Sequence, residues 1–275
     1  MYEELIKTIL EAFNSQRMGD SLLKSLEDKL RINVAGYREA QIYAEKNANI
    51  LNQLLREIID GSYLVDGTIP YDLSSELLPE ALKDLHKGVA EYSRDIQTAI
   101  NKKAGVNIKG QLLEFNDEQI DRVTRFAKKI SECKSESTFR SFLEAGIDNY
   151  SRSIVDDTAK YNAKFNYDSG VAGKIVRTTT NNSCKWCREV AGEYKYPGTP
   201  KDVFRRHQRC TCIVEYFPDK HRYRQDVWSK KKFKLLEREA NRNERVERLK
   251  NFNLRSFRLV GSPLNRTLTK TIMKG

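Results

Sequence analysis

The chain has no apolar run approaching the roughly 20 residues that a membrane-spanning helix needs, and its mean hydropathy is -0.67. No secretory h-region or cleavage site is visible near its start, so a reducing compartment is expected and disulfides are not. It has only three histidines among 275 residues, which leaves little material for general acid-base work. A His-Glu-x-x-His helix is absent, as is the His-x-Glu that zinc deaminases place ahead of a cysteine pair. Neither a helix-turn-helix nor a tandem finger can be read, which disfavours a sequence-reading regulator.

Against that scarcity, four of the five cysteines and one histidine fall between Cys184 and Cys212. Cys184-Lys185-Trp186-Cys187 puts two thiols on one tight turn, within reach of a single ion at roughly 2.3 Å. His207 precedes Cys210 by three residues, and Cys210 and Cys212, two apart, would share one face of an extended strand. Five donors, Cys184, Cys187, His207, Cys210 and Cys212, thus compete for four tetrahedral places. Cys184 and Cys187 are expected to bind with two or three of the others, Cys210 or Cys212 being the spare. Disulfides and chance clustering are the competing explanations, and the spacing argues against both. A site this rich in protein donors leaves no place for a reactive water, so the expected ion is a structural Zn²⁺ whose binding free energy is folding free energy, in a protein that is not an enzyme.

Apolar spacing makes the first 168 residues an all-helical body. Leu5, Ile6, Ile9, Leu10 and Phe13 mark a first helix over 2–17. Leu23, Leu30, Tyr37, Ala44, Leu51 and Ile58 recur every seven residues, and with Leu26, Val34, Ala40, Ala48, Leu54 and Leu55 they predict one helix over 22–59, roughly 55 Å long. Asp66-Gly67 marks a turn or small hairpin within 61–75, and helix resumes near Leu77 with Pro79 in its first turn. His86 on that helix is expected at the surface or half-buried. A Gly-containing loop, 105–110, ends it. Asn116 with Gln119 reads as a capping box for a helix through Ile130, and a further helix spans about 135–165. Cys133, apart from the other thiols, is expected to be a small buried hydrophobe.

At Gly170 the pattern changes. Residues 173–180, 193–196 and 211–216 read as three short strands, and Thr199-Pro200 as the start of a short helix that delivers His207. The fold class is therefore α+β, mostly α: a long-helix body over 1–168, a small zinc-stapled β-rich module over 169–218, and a basic helix and tail over 219–275.

Charge is distributed unevenly along these three parts. The net charge is +11, yet the first 218 residues hold 32 basic against 32 acidic side chains, and the remainder 17 against 6. Phe233 to Phe252 reads as a charged helix, and 253–275 as an arm with five basic residues and no acidic one. Such an arm would neutralise phosphates without reading bases.

The order Cys-x-x-Cys, an aromatic-containing linker with glycine, then His207-x-x-Cys210-x-Cys212 running into a strand resembles the C-terminal signature of the minor head proteins of tailed bacteriophages, the Mu F-like head-morphogenesis family. Asp226-Val227-Trp228-Ser229-Lys230-Lys231 is similar to Gram-positive phage members. The likeness covers mainly 173–216, and departs from the family pattern at Thr211, commonly arginine, and at Arg206, where a proline is common near the histidine. It implies a non-enzymatic virion component inside the capsid at the portal vertex, met in the host cytoplasm during assembly. Its partners would be the portal or major capsid protein and, through the basic C-terminal region, genomic DNA, with multi-copy association at the portal and no membrane. It would act in head morphogenesis, DNA packaging or ejection. The alternative is a zinc-stapled, non-specific DNA-binding protein or nuclease.

Overall fold

The computed structural model describes residues 2–59, 61–180 and 183–219. The helix expected over 233–252, the arm over 253–275 and the 226–231 segment lie outside the described residues.

Among the described residues the helices are α1 (Glu3–Gly19), α2 (Ser21–Arg31), α3 (Tyr37–Ile58), α4 (Tyr71–Lys103), α5 (Asp117–Ser131), α6 (Glu136–Asp168) and the short α7 (Lys185–Glu189). The strands are β1 (Gly173–Thr178), β2 (Gly192–Tyr196) and β3 (Ile213–Pro218), in the antiparallel order β2-β1-β3. The mostly helical body with a small sheet thus agrees with the expected class.

The helix expected over 22–59 is two helices. Asn33 adopts the left-handed conformation at φ 60°, and the amides of Val34 and Ala35 fold back on the Lys29 carbonyl, closing α2. Gly36 then opens α3, its amide donating to the Glu39 carboxylate at 3.0 Å. The seven-residue seam is kept on α3, where Tyr37, Ala44 and Leu51 are all buried, but Val34 is left exposed at the turn. The two longest helices are instead α4 and α6, of 33 residues each.

Helix α4 starts at Tyr71, earlier than the pattern suggested, because Pro70, at φ -58°, leads directly into its first turn. Pro79 therefore lies inside the helix. The expected hairpin is present just before it, as a bridge between Val65 and Thr68 around Asp66-Gly67.

His86 is buried, not at the surface. It sits one position from Leu85 on the face that carries Leu82 and Val89, and both ring nitrogens are used. Nε2 lies 2.9 Å from the Leu113 carbonyl, to which it donates. Nδ1, 3.2 Å from the Tyr150 hydroxyl, is left to accept. Burial pushes its pKa down, favouring the neutral ring. Cys133 is only half-buried, its thiol donating to the Lys129 carbonyl at 3.6 Å as α5 ends.

His86 is one of several side chains that pin the 104–116 segment across the helices. Asn162 of α6 accepts from the Gln111 amide at 2.6 Å and donates to its carbonyl at 3.0 Å, and Asn101 of α4 donates to the Ile108 carbonyl. At Gly110 the segment meets α4 closely, its amide donating to the Thr98 hydroxyl at 2.8 Å. A Cβ there would stand 2.2 Å from the Arg94 carbonyl oxygen, which is backbone and cannot swing away. Gly110→Ala is expected to destabilise by about 1–3 kcal/mol through overpacking, read as a lower urea midpoint with an unchanged slope.

Helix α6 is the axis of the assembly, packing against α3, α4, α5 and all three strands. The sheet has little core of its own. Ile175, Val214 and Tyr216 of β1 and β3 belong to the same apolar cluster as the helices, so one sheet face is closed by the body and the Cys/His segments are carried at the sheet's end.

Candidate metal centre

Each donor is delivered by a local device. Cys184 is the N-cap of α7, its sulfur accepting from the Cys187 amide at 3.4 Å. A Cys-x-x-Cys pair at a helix N-terminus sits where unpaired amides favour thiolate, and the Cys187 backbone N–H draws the Cys184 pKa down. Burial pushes Cys187 up.

The second half is built differently from the expectation. Residues 201–204 form a single 3-10 turn with Pro200 at its N-cap, and Thr199 donates to the Lys195 carbonyl instead of capping. His207 lies beyond that turn. Arg209, at φ 59°, reverses the chain and the Cys210 amide donates to the His207 carbonyl at 3.2 Å. Cys210 and Cys212 accordingly sit in the loop before β3, which begins at Ile213. Both are nevertheless buried beside Cys187.

All five predicted donors come together as two overlapping groups, Cys184 with Cys187 and His207, and Cys187 with Cys210 and Cys212. In each group the ligand atoms all lie within 4.8 Å of one another, and Cys187 is common to both. The His207 Nε2 is 3.0 Å from the Cys187 sulfur and 3.4 Å from that of Cys184, and the Cys187 and Cys210 sulfurs are 3.7 Å apart. Bonds of the usual zinc length imply tetrahedral edges of about 3.8 Å between sulfurs and about 3.5 Å from sulfur to nitrogen. The Cys184–His207 and Cys187–Cys210 separations match these edges, the Cys187–His207 pair is closer, and each group of three could hold a metal ion.

His207 is also in the correct tautomer for a ligand. Its Nδ1 donates to the Gln208 carbonyl at 2.8 Å, which leaves the Nε2 lone pair facing the thiols. Its ring meets Trp186 edge-on at 5.9 Å.

Between the loop thiols, the Cys210 S–H donates to Cys212, so the Cys212 thiol is pulled down to about 7. Cys210 is pushed up to about 12 for the same reason.

Two arginines complete the site, and neither was assigned a role from sequence. Arg177 projects from central strand β1 and is almost wholly buried. It donates to the carbonyls of Val203 at 2.6 Å and Arg205 at 2.8 Å, and its other nitrogen lies 3.6 Å from the Cys210 sulfur and 3.9 Å from that of Cys187. It also stacks over Trp186, at 5.2 Å. One guanidinium thus fixes the loop before His207 and offsets the negative charge that clustered thiolates bring.

Arg206 reaches the opposite way. It donates to the carbonyls of Cys210 at 2.8 Å and Cys212 at 2.7 Å, and forms a two-pronged ion pair with Asp156 of α6. Asp156 also accepts from Gln41 of α3 at 3.0 Å. Burial pushes the Asp156 carboxyl upward while Arg206 beside it pulls it back. The backbone of the thiol loop is therefore anchored in the helical body by one buried pair.

A sequence signal for Arg177 existed: it shares the inward face of β1 with Ile175, where an apolar residue is expected. Asp156 gave a weaker one, a carboxylate within the buried run from Tyr150 to Ala159 of α6.

No protein-family model matches this chain, and neither does any curated protein or solved structure.

Proposed function

We propose that this chain is a structural minor head protein of a tailed phage, in which a zinc ion staples the Cys/His loops to a helical body. One observation carries the structural part of the reading: four thiols and an imidazole gathered as two donor groups that share Cys187, with both loop carbonyls tied by Arg206 to Asp156. Soft sulfur and nitrogen donors in that geometry favour zinc over magnesium or calcium. Cys184, Cys187 and His207 would hold it together with one of Cys210 and Cys212, the other being the spare donor. Four protein ligands exclude a substrate or reactive water from the ion, so its role is cohesion and not catalysis.

The head-protein part is supported by the motif spacing from Cys184 to Cys212 and by its position after a helical body and before a basic C-terminal region. Portal or capsid protein would meet the helical body, and genomic DNA the basic segment beyond residue 219. Elemental analysis of purified chain, with co-sedimentation against empty and DNA-filled capsids of the source phage, tests both parts. One zinc per chain and capsid association are expected. Zinc without capsid association, even with co-expressed portal, would leave a metal-stapled DNA-binding protein as the better account, and absence of bound metal would remove the staple.

A further inference from the structure

Away from the thiols, α5 and α6 diverge to leave an open cavity of about 360 Å³. Its floor is aromatic. Phe126 and Phe142 meet at 6.1 Å with planes tilted by 39°, and Tyr150 lies beside them under the Arg122 guanidinium, 5.4 Å from its ring. The floor exists because position 146 is glycine: a Cβ there would stand 2.1 Å from the Phe126 ring.

The rim is cationic. Arg122, Arg125 and Lys129 of α5 are three and four residues apart, on one helical face, and none of the lining residues is acidic. Arg122 is held at 3.5 Å by Asp157, whereas Arg125 and Lys129 are exposed and have no ion-pair partner among the described residues. Asn149 lines the same cavity with its Oδ1 turned out of solvent reach. Gln208 closes one side from the metal loop, its carbonyl accepting from His207.

An aromatic floor and two cations without ion-pair partners among the described residues match a phosphate joined to a flat ring. We infer that this cavity binds a nucleotide unit, with the phosphate on Arg125 and Lys129 and the ring on Phe126 and Phe142. The volume is at the lower end of small-molecule sites and suits one such unit. Base-aromatic stacking with backbone cations is also how single strands are held without strong sequence readout. The same chemistry could come from a free mononucleotide or from an unstacked residue of a strand. All residues lining the site fall between Leu82 and Gln208 in the sequence.

The test is photolabelling of the full chain with 8-azido-dAMP, followed by peptide mapping, with dAMP, dTMP and a short oligo-dA as competitors. Label on α5 and α6 peptides is expected, with dAMP and dTMP both protecting. Arg125→Gln/Lys129→Gln should lower labelling about tenfold with an unchanged helical signal, since both side chains are at the surface. Stronger protection by oligo-dA than by dAMP would assign the site to strands, and the reverse to free nucleotide. Label confined to peptides beyond residue 219, equal labelling of the double variant, or protection by inorganic phosphate or an acidic peptide as good as by dAMP would each overturn the inference.

Discussion

Cys187→Ser is expected to abolish stoichiometric metal binding and to loosen the segment from 183 to 212 while leaving α1 to α6 folded. Cys187 is the sulfur common to both donor groups, so its loss breaks the only overlap between Cys184 and His207 on one side and Cys210 and Cys212 on the other. Structural zinc in small modules contributes on the order of 10 kcal/mol of apparent binding free energy, more than any single packing contact around it. The damage should stop at the sheet, because Ile175, Val214 and Tyr216 are buried in the helical core independently of the ion. Hydrogen exchange read with elemental analysis checks this: fast exchange over 183–212 with protection kept on α3, α4 and α6. Cys210→Ser and Cys212→Ser are the matching controls: with one of the two thiols spare, one variant should keep its metal and the other lose it. Metal retained in the Cys187 variant, or collapse of the whole helical signal, would contradict the staple.

What could be read in the sequence was local in origin. The Cys and His positions were legible because metal chemistry demands particular residue types at short spacings, and all five did converge. The positions of the three strands and the buried face of α3 followed from residue pattern. The break between α2 and α3 was written in Asn33 and in Gly36 with Glu39, but the seven-residue recurrence of apolar residues on both sides masked it. His86 was misjudged because Lys83, Asp84 and Lys87 surround it in sequence; its place beside Leu82, Leu85 and Val89 on the buried face is what decides its environment. Arg206 and Asp156 were not legible as partners at all. They are 50 residues apart, on elements of different type, and nothing in the order of residues says that an arginine beside a metal ligand will find its carboxylate in the middle of α6.

That pair carries the second large effect. Arg206→Met should destabilise the protein by about 3–5 kcal/mol, because it strands a carboxylate that is fully buried. Asp156→Leu alone should cost a similar amount by leaving the guanidinium uncompensated. Combining the two should recover much of the loss, since the double variant removes both members of the buried ion pair. Recovery should be incomplete, because Arg206 also satisfies the carbonyls of Cys210 and Cys212, and these lose their donors in either Arg206 variant. The pH dependence separates this account from simple loss of packing. Without Arg206, burial of Asp156 is opposed only by the weaker pull of Arg177 and Arg152, and its folded-state pKa rises further above the unfolded value. A raised carboxyl gives stability that is full below the unfolded pKa and is lost as pH rises through the folded one, so Arg206→Met should be closest to the parent in mild acid and fall further behind toward pH 8. Urea melts of the parent, both single variants and the double variant at pH 5 and pH 8 measure the coupling directly. A pH-independent deficit in Arg206→Met, or additive losses in the double variant, would mean that the pair is not what anchors the thiol loop to α6.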